Sequence, residues 1–414
     1  MPGRINKGAV QLKQCVFLRH YPSSSTLFGL GMMKLVVSFL LVFACCFSRA
    51  ETEELVIGKQ EAIHSKILNE TRKLLVSLPD GYEDSGYSYP VLYFSDGTAH
   101  FESMVSTVNF LSKNSLIPPL IVVGIDTSPS RTRDLTPSIS NAELAKPSWY
   151  SKQNPGGADQ FLDFMSQELF PYINKEYRTA DFNVFSGHSL GGLFSIHTYL
   201  TQPHLFDGYI AVSPSLWWDN ERLVADAKDL YEQNKLTNKF LFLSKGNEQG
   251  PMDSAYQSMV ELFEKHNSEK VFSQAFPEES HLTVVFNAHY KGLKSIFSDW
   301  SLPFKESAKG LDVVKAHKEK VKNIFKVNFT SVGWLINLGN SERYKKNYDA
   351  AIAAFQYNIS LFPDYPYSYF LLAKTLEDKE QPTLALKYYE QANELVPVDS
   401  PYKKLYEAPI EALR

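Results

Sequence analysis

The sequence predicts an α/β fold, with a mostly parallel sheet and helices on both of its faces, followed by an all-helical region. Between residues 70 and 300, short apolar runs alternate with amphipathic stretches of helical period. This alternation is typical of parallel α/β sheets. Beyond residue 330, similar residues recur at a spacing of 34, which is typical of stacked helical pairs.

Seven β-rich runs are predicted as strands of one domain over residues 51–300. The third run, LIVVGID, is apolar throughout, as expected of a strand buried on both faces. The runs are residues 73–79, 89–97, 120–126, 182–187, 209–215, 239–246 and 271–277. Helices are predicted where apolar positions follow a helical period, at residues 156–177, 253–266 and 283–300.

Composition limits the kinds of function that the chain can have. Hydrophobic residues make up 44% of the 414 residues and charged residues 21%, so the chain can bury a sizeable core. The net charge of −4 argues against nucleic acid as the main partner. This length corresponds to about two or three domains.

The first 50 residues are predicted to be an extension and a signal peptide. Residues 33–50 begin with Met-Lys, are apolar over 35–47 apart from one serine, and end in Ser-Arg-Ala. A basic start, an apolar stretch too short to span a bilayer and small residues before a cut define a secretory signal. A buried core helix does not explain the Ser-x-Ala ending. Residues 42–45 weakly resemble a lipoprotein box.

All three cysteines, Cys15, Cys45 and Cys46, fall within this removable segment. The mature chain, from about Glu51, would therefore have no disulfide, no cysteine nucleophile and no thiolate metal site. An exported protein without disulfides fits a bacterial periplasm best. Secretion and lipid anchoring are the weaker alternatives.

The sequence changes in character after residue 300. Residues 301–330 are rich in lysine and predict a helical linker. Residues 331–414 resemble two tetratricopeptide repeats with a capping helix over 400–413, which suggests a protein partner or self-association. The pairs in register, each 34 residues apart, are Leu338 and Leu372, Gly339 and Ala373, Ala351 and Ala385, Phe355 and Tyr389, and Pro363 and Pro397.

A glycine-rich turn follows the fourth predicted strand. The stretch Gly187–Gly191, GHSLG, fits G-x-S-x-G, the nucleophile elbow in which a strained turn exposes a serine above the sheet. A phosphate-binding loop is the competing interpretation. However, a dinucleotide loop requires glycine where Ser189 stands, and a Walker loop requires lysine where Leu193 stands. The turn therefore predicts a serine nucleophile.

A serine nucleophile needs a base, which in α/β-hydrolases is a histidine near the end of the domain. His281 is predicted as this base because it lies in a loop after the last strand. By contrast, His266 and His289 fall within helical stretches, and His317 falls in the linker.

The acid of a catalytic triad is expected in the loop after the sixth predicted strand. Glu248 stands at the carboxyl end of this strand, whereas Asp253 begins the next helix and has a capping role as its alternative. The acid would orient the imidazole and stabilise its cation. The oxyanion hole is predicted from the backbone N–H groups of Leu190 and of residues 96–98, represented by Gly97.

Six segments, in their order along the chain, resemble the Putative esterase family of α/β-hydrolases. The family includes siderophore trilactone esterases, esterase D-like enzymes, feruloyl esterases and mycolyltransferases of the antigen 85 type. The resemblance covers roughly residues 55 to 300. The segments are PVLYFSDG, RTRDLTP, GGADQFLDFMSQELFPYI, GHSLGGLF, VSPSLWW and ESHLTV.

This resemblance implies an α/β-hydrolase fold and a serine esterase, with Ser189 as nucleophile and His281 as base. Some family members manage with a Ser-His pair, which is the alternative to Glu248 as the acid. No metal or organic cofactor is implied. The resemblance also places Trp217, Trp218 and the loop from Arg131 to Arg133 at the border of the substrate pocket. The alternatives are core packing for Trp217 and solvated charge for the two arginines.

The expected function is therefore hydrolysis of a small-molecule carboxylic ester through an acyl-enzyme. One alternative is acyl transfer to an alcohol other than water by the same residues. Another is an adaptor, in which the repeats bind a protein and the hydrolase domain is a non-catalytic scaffold. A siderophore substrate follows only from analogy with the family.

Overall fold

The computed structural model describes residues 56–140, 154–266 and 269–414. In these residues the strands form one eight-stranded sheet of order β1-β2-β4-β3-β5-β6-β7-β8. The strands are β1 Lys59–Ser65, β2 Glu70–Ser77, β3 Tyr89–Phe94, β4 Ile121–Ile125, β5 Thr179–His188, β6 Gly208–Val212, β7 Phe240–Lys245 and β8 Val271–Ala275. Strands β3 to β8 pair in parallel, while β2 is antiparallel to both β1 and β4. The predicted mostly parallel sheet is confirmed.

Helices alternate with the parallel strands, and the described residues after the last strand contain helices and no strand. The helix predicted over 156–177 is continuous in the structure, but it contains a π-helical turn at Met165–Leu169, between the α-helical segments Ala158–Phe164 and Phe170–Glu176. The helices are α1 Gly97–Lys113, α2 Arg131–Leu135, α3 Ala158–Phe164, α4 Phe170–Glu176, α5 Leu190–Thr201, α6 Trp218–Glu232, α7 Pro251–His266, α8 Val284–Ile296, α9 Phe304–Ser307, α10 Leu311–Phe325, α11 Val332–Tyr344, α12 Tyr348–Leu361, α13 Pro366–Asp378, α14 Pro382–Glu394 and α15 Lys403–Leu413.

The central strands are buried along their whole length. Every residue of β3, β4 and β6 is buried, as expected for strands covered by helices on both faces. Helices α5 and α8 both pack against β6. The apolar composition that predicted these strands is therefore the composition that this packing requires.

Strand β1 was not predicted from the sequence. It pairs with β2 in antiparallel register, with Lys59 opposite Val76. Most of its residues are exposed or half-buried, because it lies at one edge of the sheet. Charged side chains are typical of edge strands, and here they hide the apolar pattern that identified the central strands.

The parallel strands bring their carboxyl ends to one edge of the sheet. Strand β5 ends directly before Ser189, and β3 ends two residues before Asp96. Strands β7 and β8 end shortly before Glu248 and His281. Four segments that are far apart in sequence therefore meet at this edge, which is where open α/β sheets bind their ligands.

The C-terminal region is all-helical, as predicted. Helices α11 and α13 begin 34 residues apart, at Val332 and Pro366, and α12 and α14 begin 34 residues apart, at Tyr348 and Pro382. A Cβ on Gly339 of α11 would lie 2.4 Å from the ring of Phe355 on α12. A small residue is therefore required where this helix pair touches. The assignment to tetratricopeptide repeats stays a prediction.

An aromatic cluster joins the first C-terminal helices to the α/β core. The rings of Trp334 on α11 and Trp300 lie 5.2 Å apart, and His317 Nε2 donates to the carbonyl of Trp300 at 3.1 Å. Phe325 of α10 contacts Phe182 of β5. Residues 56–414 form one compact unit, and the domain boundaries near residues 300 and 330 stay predictions.

Some features predicted from the sequence lie outside the described residues. These features are the signal peptide and the three cysteines. In the described part of the chain, no helix combines the length and the apolar character needed to cross a membrane.

The burial of Trp334 in this aromatic cluster predicts that its truncation lowers the stability of the fold. Trp334 is 1% exposed, so Trp334→Ala is expected to lower the free energy of unfolding by about 3–5 kcal/mol, through lost burial and a cavity. Chemical denaturation measures this change. Tyr344→Ala on the same helix is the control, because Tyr344 is 91% exposed and should change stability by less than about 0.5 kcal/mol. Equal, small effects of both substitutions would contradict the packing.

Candidate active site

The turn between β5 and α5 holds Ser189 in a conformation that few non-glycine residues adopt, with φ 60° and ψ −112°. The N–H of Ser189 donates to the carbonyl of Val212 at 2.9 Å. A Cβ on Gly187 would lie 2.1 Å from the carbonyl oxygen of Gly191, and one on Gly191 would lie 2.3 Å from Ser95 Oγ. Both glycines of the motif are therefore required by close approach, and the turn has the strained form expected of a nucleophile elbow.

The hydroxyl of Ser189 faces the loop after β6. Its Oγ lies 3.3 Å from Ser215 Oγ, and the N–H of Ser215 donates to the carbonyl of Ser189 at 3.1 Å. Ser215 was not predicted from the sequence as a neighbour of Ser189. Its segment, VSPSLWW, carries part of the family resemblance, but no local signal shows which of its residues reaches the elbow.

Glu248 and His281 meet at the carboxyl ends of β7 and β8. The Nδ1–H of His281 donates to Glu248 Oε1 at 2.8 Å, because an ionised carboxylate can only accept. The two loops are also joined through backbone, since Asn247 N–H donates to the carbonyl of Glu279 at 2.8 Å. The arrangement fixes the tautomer of His281 and leaves its Nε2 able to accept a proton.

The Glu248 carboxylate is stabilised in its charged form. Burial acts to raise the pKa of Glu248, but hydrogen bonds from His281 and Ser213 outweigh it and lower the pKa to about 2. The side chain of Glu248 is 7% exposed, against 33% for His281. A buried anion of this kind can stabilise an imidazolium beside it.

Asp253, the alternative acid, lies elsewhere. It is in the first turn of α7, and its carboxylate pairs with Lys245. The structure therefore brings Glu248, and not Asp253, to His281.

His281 contacts the turn that carries Ser189 through His188, the residue that directly precedes this serine. The Nε2 of His188 lies 2.7 Å from the carbonyl oxygen of His281, and the two rings are 4.6 Å apart. His281 therefore lies beside the turn that carries Ser189. The catalytic roles of Ser189, His281 and Glu248 stay predictions at this point.

The two residues predicted for the oxyanion hole each begin a helix. Leu190 is the first residue of α5 and Gly97 the first of α1, so neither N–H has an acceptor within its own helix. The close approach of Gly191 to Ser95 brings these two helix ends together. Asp96 N–H is already bonded to Thr127 Oγ1 at 3.0 Å, so it is not available as an oxyanion donor.

Comparison with known proteins gives the family. The sequence pattern of the family described as Putative esterase matches residues 65–309, more than half of the chain. The chain belongs to the Putative esterase family.

Two curated relatives of this esterase chain act on siderophores according to their names. It is 32% identical over 192 residues to the ferri-bacillibactin esterase BesA of Bacillus subtilis, which covers 44% of this chain and 63% of the relative. It is 33% identical over 159 residues to a siderophore enterobactin esterase of Emericella nidulans, which covers 35% of this chain and 52% of the relative. The chain therefore spans less than two thirds of the length of either relative.

Solved structures show the same fold. An IroE-like serine hydrolase from Shewanella oneidensis is 28% identical, with a TM-score of 0.61, and the match covers 70% of this chain and 94% of the other. A protein of Capnocytophaga ochracea is 18% identical with a TM-score of 0.56, and that match covers 86% of this chain and 99% of the other. The second similarity concerns the fold alone.

Arg131 links the serine turn to the loop of Asp96 and Gly97, which is predicted to contribute to the oxyanion hole. Arg131 donates to both carboxylate oxygens of Asp96, at 2.7 and 2.9 Å, and to the carbonyl of His188 at 3.2 Å. The backbone of Asp96 is left-handed, with φ 57°, so this loop needs such support. The resemblance placed the Arg131–Arg133 loop at the pocket border, but it did not predict the contacts of Arg131 with Asp96 and His188, because these partners are distant in sequence.

The other residues predicted to border the pocket, Arg133, Trp217 and Trp218, also have internal partners. Arg133 pairs with Glu70 at 2.8 Å and with Asp134 at 2.7 Å. Trp218 is buried and its Nε1 donates to the carbonyl of Ser138 at 3.1 Å, while Trp217 is half-buried against it. A substrate-binding role for these residues stays a prediction, and the placement of Arg133 and Trp218 favours the structural alternative.

Three histidines, His100, His188 and His289, lie close to one another. His100 on α1 is 6.0 Å from His188 and 6.2 Å from His289 of α8, measured between ring centres. Burial lowers the pKa of all three, to about 4 for His188 and about 3 for His289. Among the described residues, no group of three or more His, Cys, Asp or Glu side chains is arranged to hold a metal ion.

The buried histidines predict how stability depends on pH. The unfolded chain binds protons near pH 6.5, whereas folded His289 stays neutral down to about pH 3. As the pH falls below 6.5, the free energy of unfolding should therefore decrease, approaching about 1.4 kcal/mol per pH unit for each such histidine.

Denaturant titrations between pH 6.5 and 5 measure this slope. His289→Gln should reduce the mean slope over this range by about 1 kcal/mol per pH unit, because the unfolded histidine is half protonated at pH 6.5 and nearly fully protonated at pH 5. His64→Gln, at an exposed position on β1, controls for the substitution itself. A slope unchanged by His289→Gln would show that His289 is not held neutral.

Proposed function

We propose that this chain hydrolyses carboxylic esters through an acyl-enzyme formed on Ser189. The observation that carries the proposal is the 2.8 Å hydrogen bond between His281 and Glu248, placed beside a strained serine turn. Membership of the Putative esterase family supports it. Relatives named as siderophore esterases support it as well.

The proposed reaction begins at the Ser189 hydroxyl. Catalytic hydrogen bonds are often loose before substrate binds, so the hydroxyl would exchange Ser215 for His281 Nε2 when the ester enters. His281 takes the proton as Ser189 Oγ attacks the carbonyl carbon, and Glu248 stabilises the imidazolium. The N–H groups of Leu190 and Gly97 would donate to the oxyanion.

The second half of the reaction uses the same groups in reverse. The imidazolium of His281 gives its proton to the leaving alcohol, and the acyl group remains on Ser189. Water then attacks the acyl-enzyme while His281 accepts a proton from it. The tetrahedral intermediate formed by this attack then collapses and releases the carboxylic acid. His281 returns its proton to Ser189 Oγ, which restores the hydroxyl.

The surroundings of His281 favour an ester with apolar groups. Leu282 and Phe286, one and five residues after His281, are exposed to 77% and 55%, and these apolar side chains would be free to contact an apolar part of the ester. The siderophore named for BesA suggests a siderophore-type ester as one candidate. Export through the predicted signal peptide belongs to the same proposal, and N-terminal sequencing of exported protein tests it through a start near Glu51.

The nucleophile assignment predicts the effect of Ser189→Ala. The variant is expected to lower kcat on p-nitrophenyl butyrate by about 10⁵-fold or more, because the attacking oxygen is gone. The same loss is expected on any siderophore trilactone that the wild type cleaves, with the acid product followed by chromatography.

Two controls make this test specific. Ser254→Ala, at an exposed serine of α7, should retain wild-type turnover, and circular dichroism should show that Ser189→Ala is folded. Undiminished turnover by purified Ser189→Ala would overturn the proposal. If a competing alcohol is added and the products are esters of that alcohol instead of the free acid, the reaction is acyl transfer.

The acid assignment predicts different effects for two carboxylates. Glu248→Gln is expected to lower kcat by about 10²–10⁴-fold, because His281 loses the partner that fixes its tautomer. Asp253→Asn, whose partner is Lys245, should change kcat by less than about threefold. Steady-state kinetics on one ester measure both variants, and equal effects would contradict the assignment of Glu248.

A further inference from the structure

His188 stands between the nucleophile and the proposed base. It is the last residue of β5, directly before Ser189, and is buried, with 7% of its surface exposed. Its Nε2 lies 2.7 Å from the backbone carbonyl oxygen of His281. Because a carbonyl can only accept, His188 must carry a proton on Nε2 and donate it.

The environment of His188 keeps it an N–H donor and prevents it from acting as a base. Burial lowers its pKa to about 4, and the charges of His281, His100 and Arg131, when present, act in the same direction. At neutral pH the ring is therefore uncharged. Its Nε2 proton is engaged with the carbonyl of His281, so it takes no part in proton transfer with Ser189.

The backbone of the same residue reaches the third part of the site. The carbonyl of His188 accepts from Arg131 at 3.2 Å, and Arg131 holds the carboxylate of Asp96 with two hydrogen bonds. Asp96 directly precedes Gly97. His188 thus contacts the loop of His281 directly through its ring, and through its carbonyl it contacts Arg131, which in turn holds the Asp96–Gly97 loop.

We propose that His188 is a positioning residue that fixes where the His281 imidazole stands relative to Ser189. The inference rests on the proposed function. Glu248 holds the imidazole at Nδ1, but His281 is also part of a loop whose backbone must stay in place. The His188 hydrogen bond fastens this backbone to the residue next to the nucleophile. A displacement of about 1 Å in such a group can lower a rate by about 10²-fold.

Two substitutions separate the donor from the bulk of the ring. His188→Met removes the N–H and keeps an apolar side chain of similar length. His188→Gln keeps an amide N–H near the position of Nε2. On p-nitrophenyl butyrate, His188→Met is expected to lower kcat by about 10- to 100-fold with KM changed less than about twofold, and His188→Gln to recover most of that loss.

A spectroscopic measurement on the wild type needs no variant to fold. The proposal requires neutral His188 to be the Nε2–H tautomer, which ¹⁵N chemical shifts of the imidazole report. It also requires the downfield proton of His281 Nδ1–H, bonded to Glu248, to shift or broaden in His188→Met and to be retained in His188→Gln. An Nδ1–H tautomer at His188 would overturn the proposal.

A matched control distinguishes positioning from loss of a buried histidine. His197 on α5 is also buried, and its Nε2 lies 2.8 Å from Asp159 Oδ1. His197→Met should lower the melting temperature without moving kcat or the His281 proton. An equal loss of kcat in His197→Met and His188→Met, or in both His188 variants, would overturn the positioning role.

Ser189→Ala, measured in the same assay, distinguishes a failure of the inference about His188 from a failure of the proposed serine mechanism. Loss of turnover in Ser189→Ala together with full turnover in His188→Met overturns only the role of His188. Full turnover in Ser189→Ala overturns the serine mechanism, and the inference about His188 with it.

Discussion

The backbone turns from β5 into α5 at Ser189 with φ 60° and ψ −112°, a conformation that costs about 1–3 kcal/mol and persists only where the surroundings fix it. Its N–H is bonded to Val212 at the end of β6, and its carbonyl accepts from Ser215. Gly191 lies against Ser95 at the end of β3. Holding this one turn therefore requires the loops of the neighbouring strands to come close, and the site is assembled from those loops.

Much of this assembly could be predicted from sequence because its signals are local. Apolar runs marked the buried strands, and G-x-S-x-G marked the turn. The ends of the last two strands then pointed to Glu248 and His281, because parallel strands end at one edge of the sheet. The structure places these two side chains 2.8 Å apart. The preference for Glu248 over Asp253 came from its position at the strand end, and Lys245 pairs with the other carboxylate.

The features that the sequence did not reveal depend on partners far along the chain. His188 and His281 are 93 residues apart, and Arg131 and His188 are 57 residues apart, so no local pattern connects them. Strand β1 is an exposed edge whose charges mask its period. The packing of Trp334 on Trp300 was also missed, because a repeat spacing describes how helices pack on one another and not how they pack on a neighbouring sheet.

Covalent trapping tests the central claim, that Ser189 is an activated nucleophile. Native protein treated with diethyl p-nitrophenyl phosphate should gain one diethylphosphoryl group per chain, located on the peptide that contains Ser189. Protein that is unfolded before treatment should gain none there, because activation depends on His281 and on the folded turn. A modification on another residue, or none on the native protein, would contradict this account.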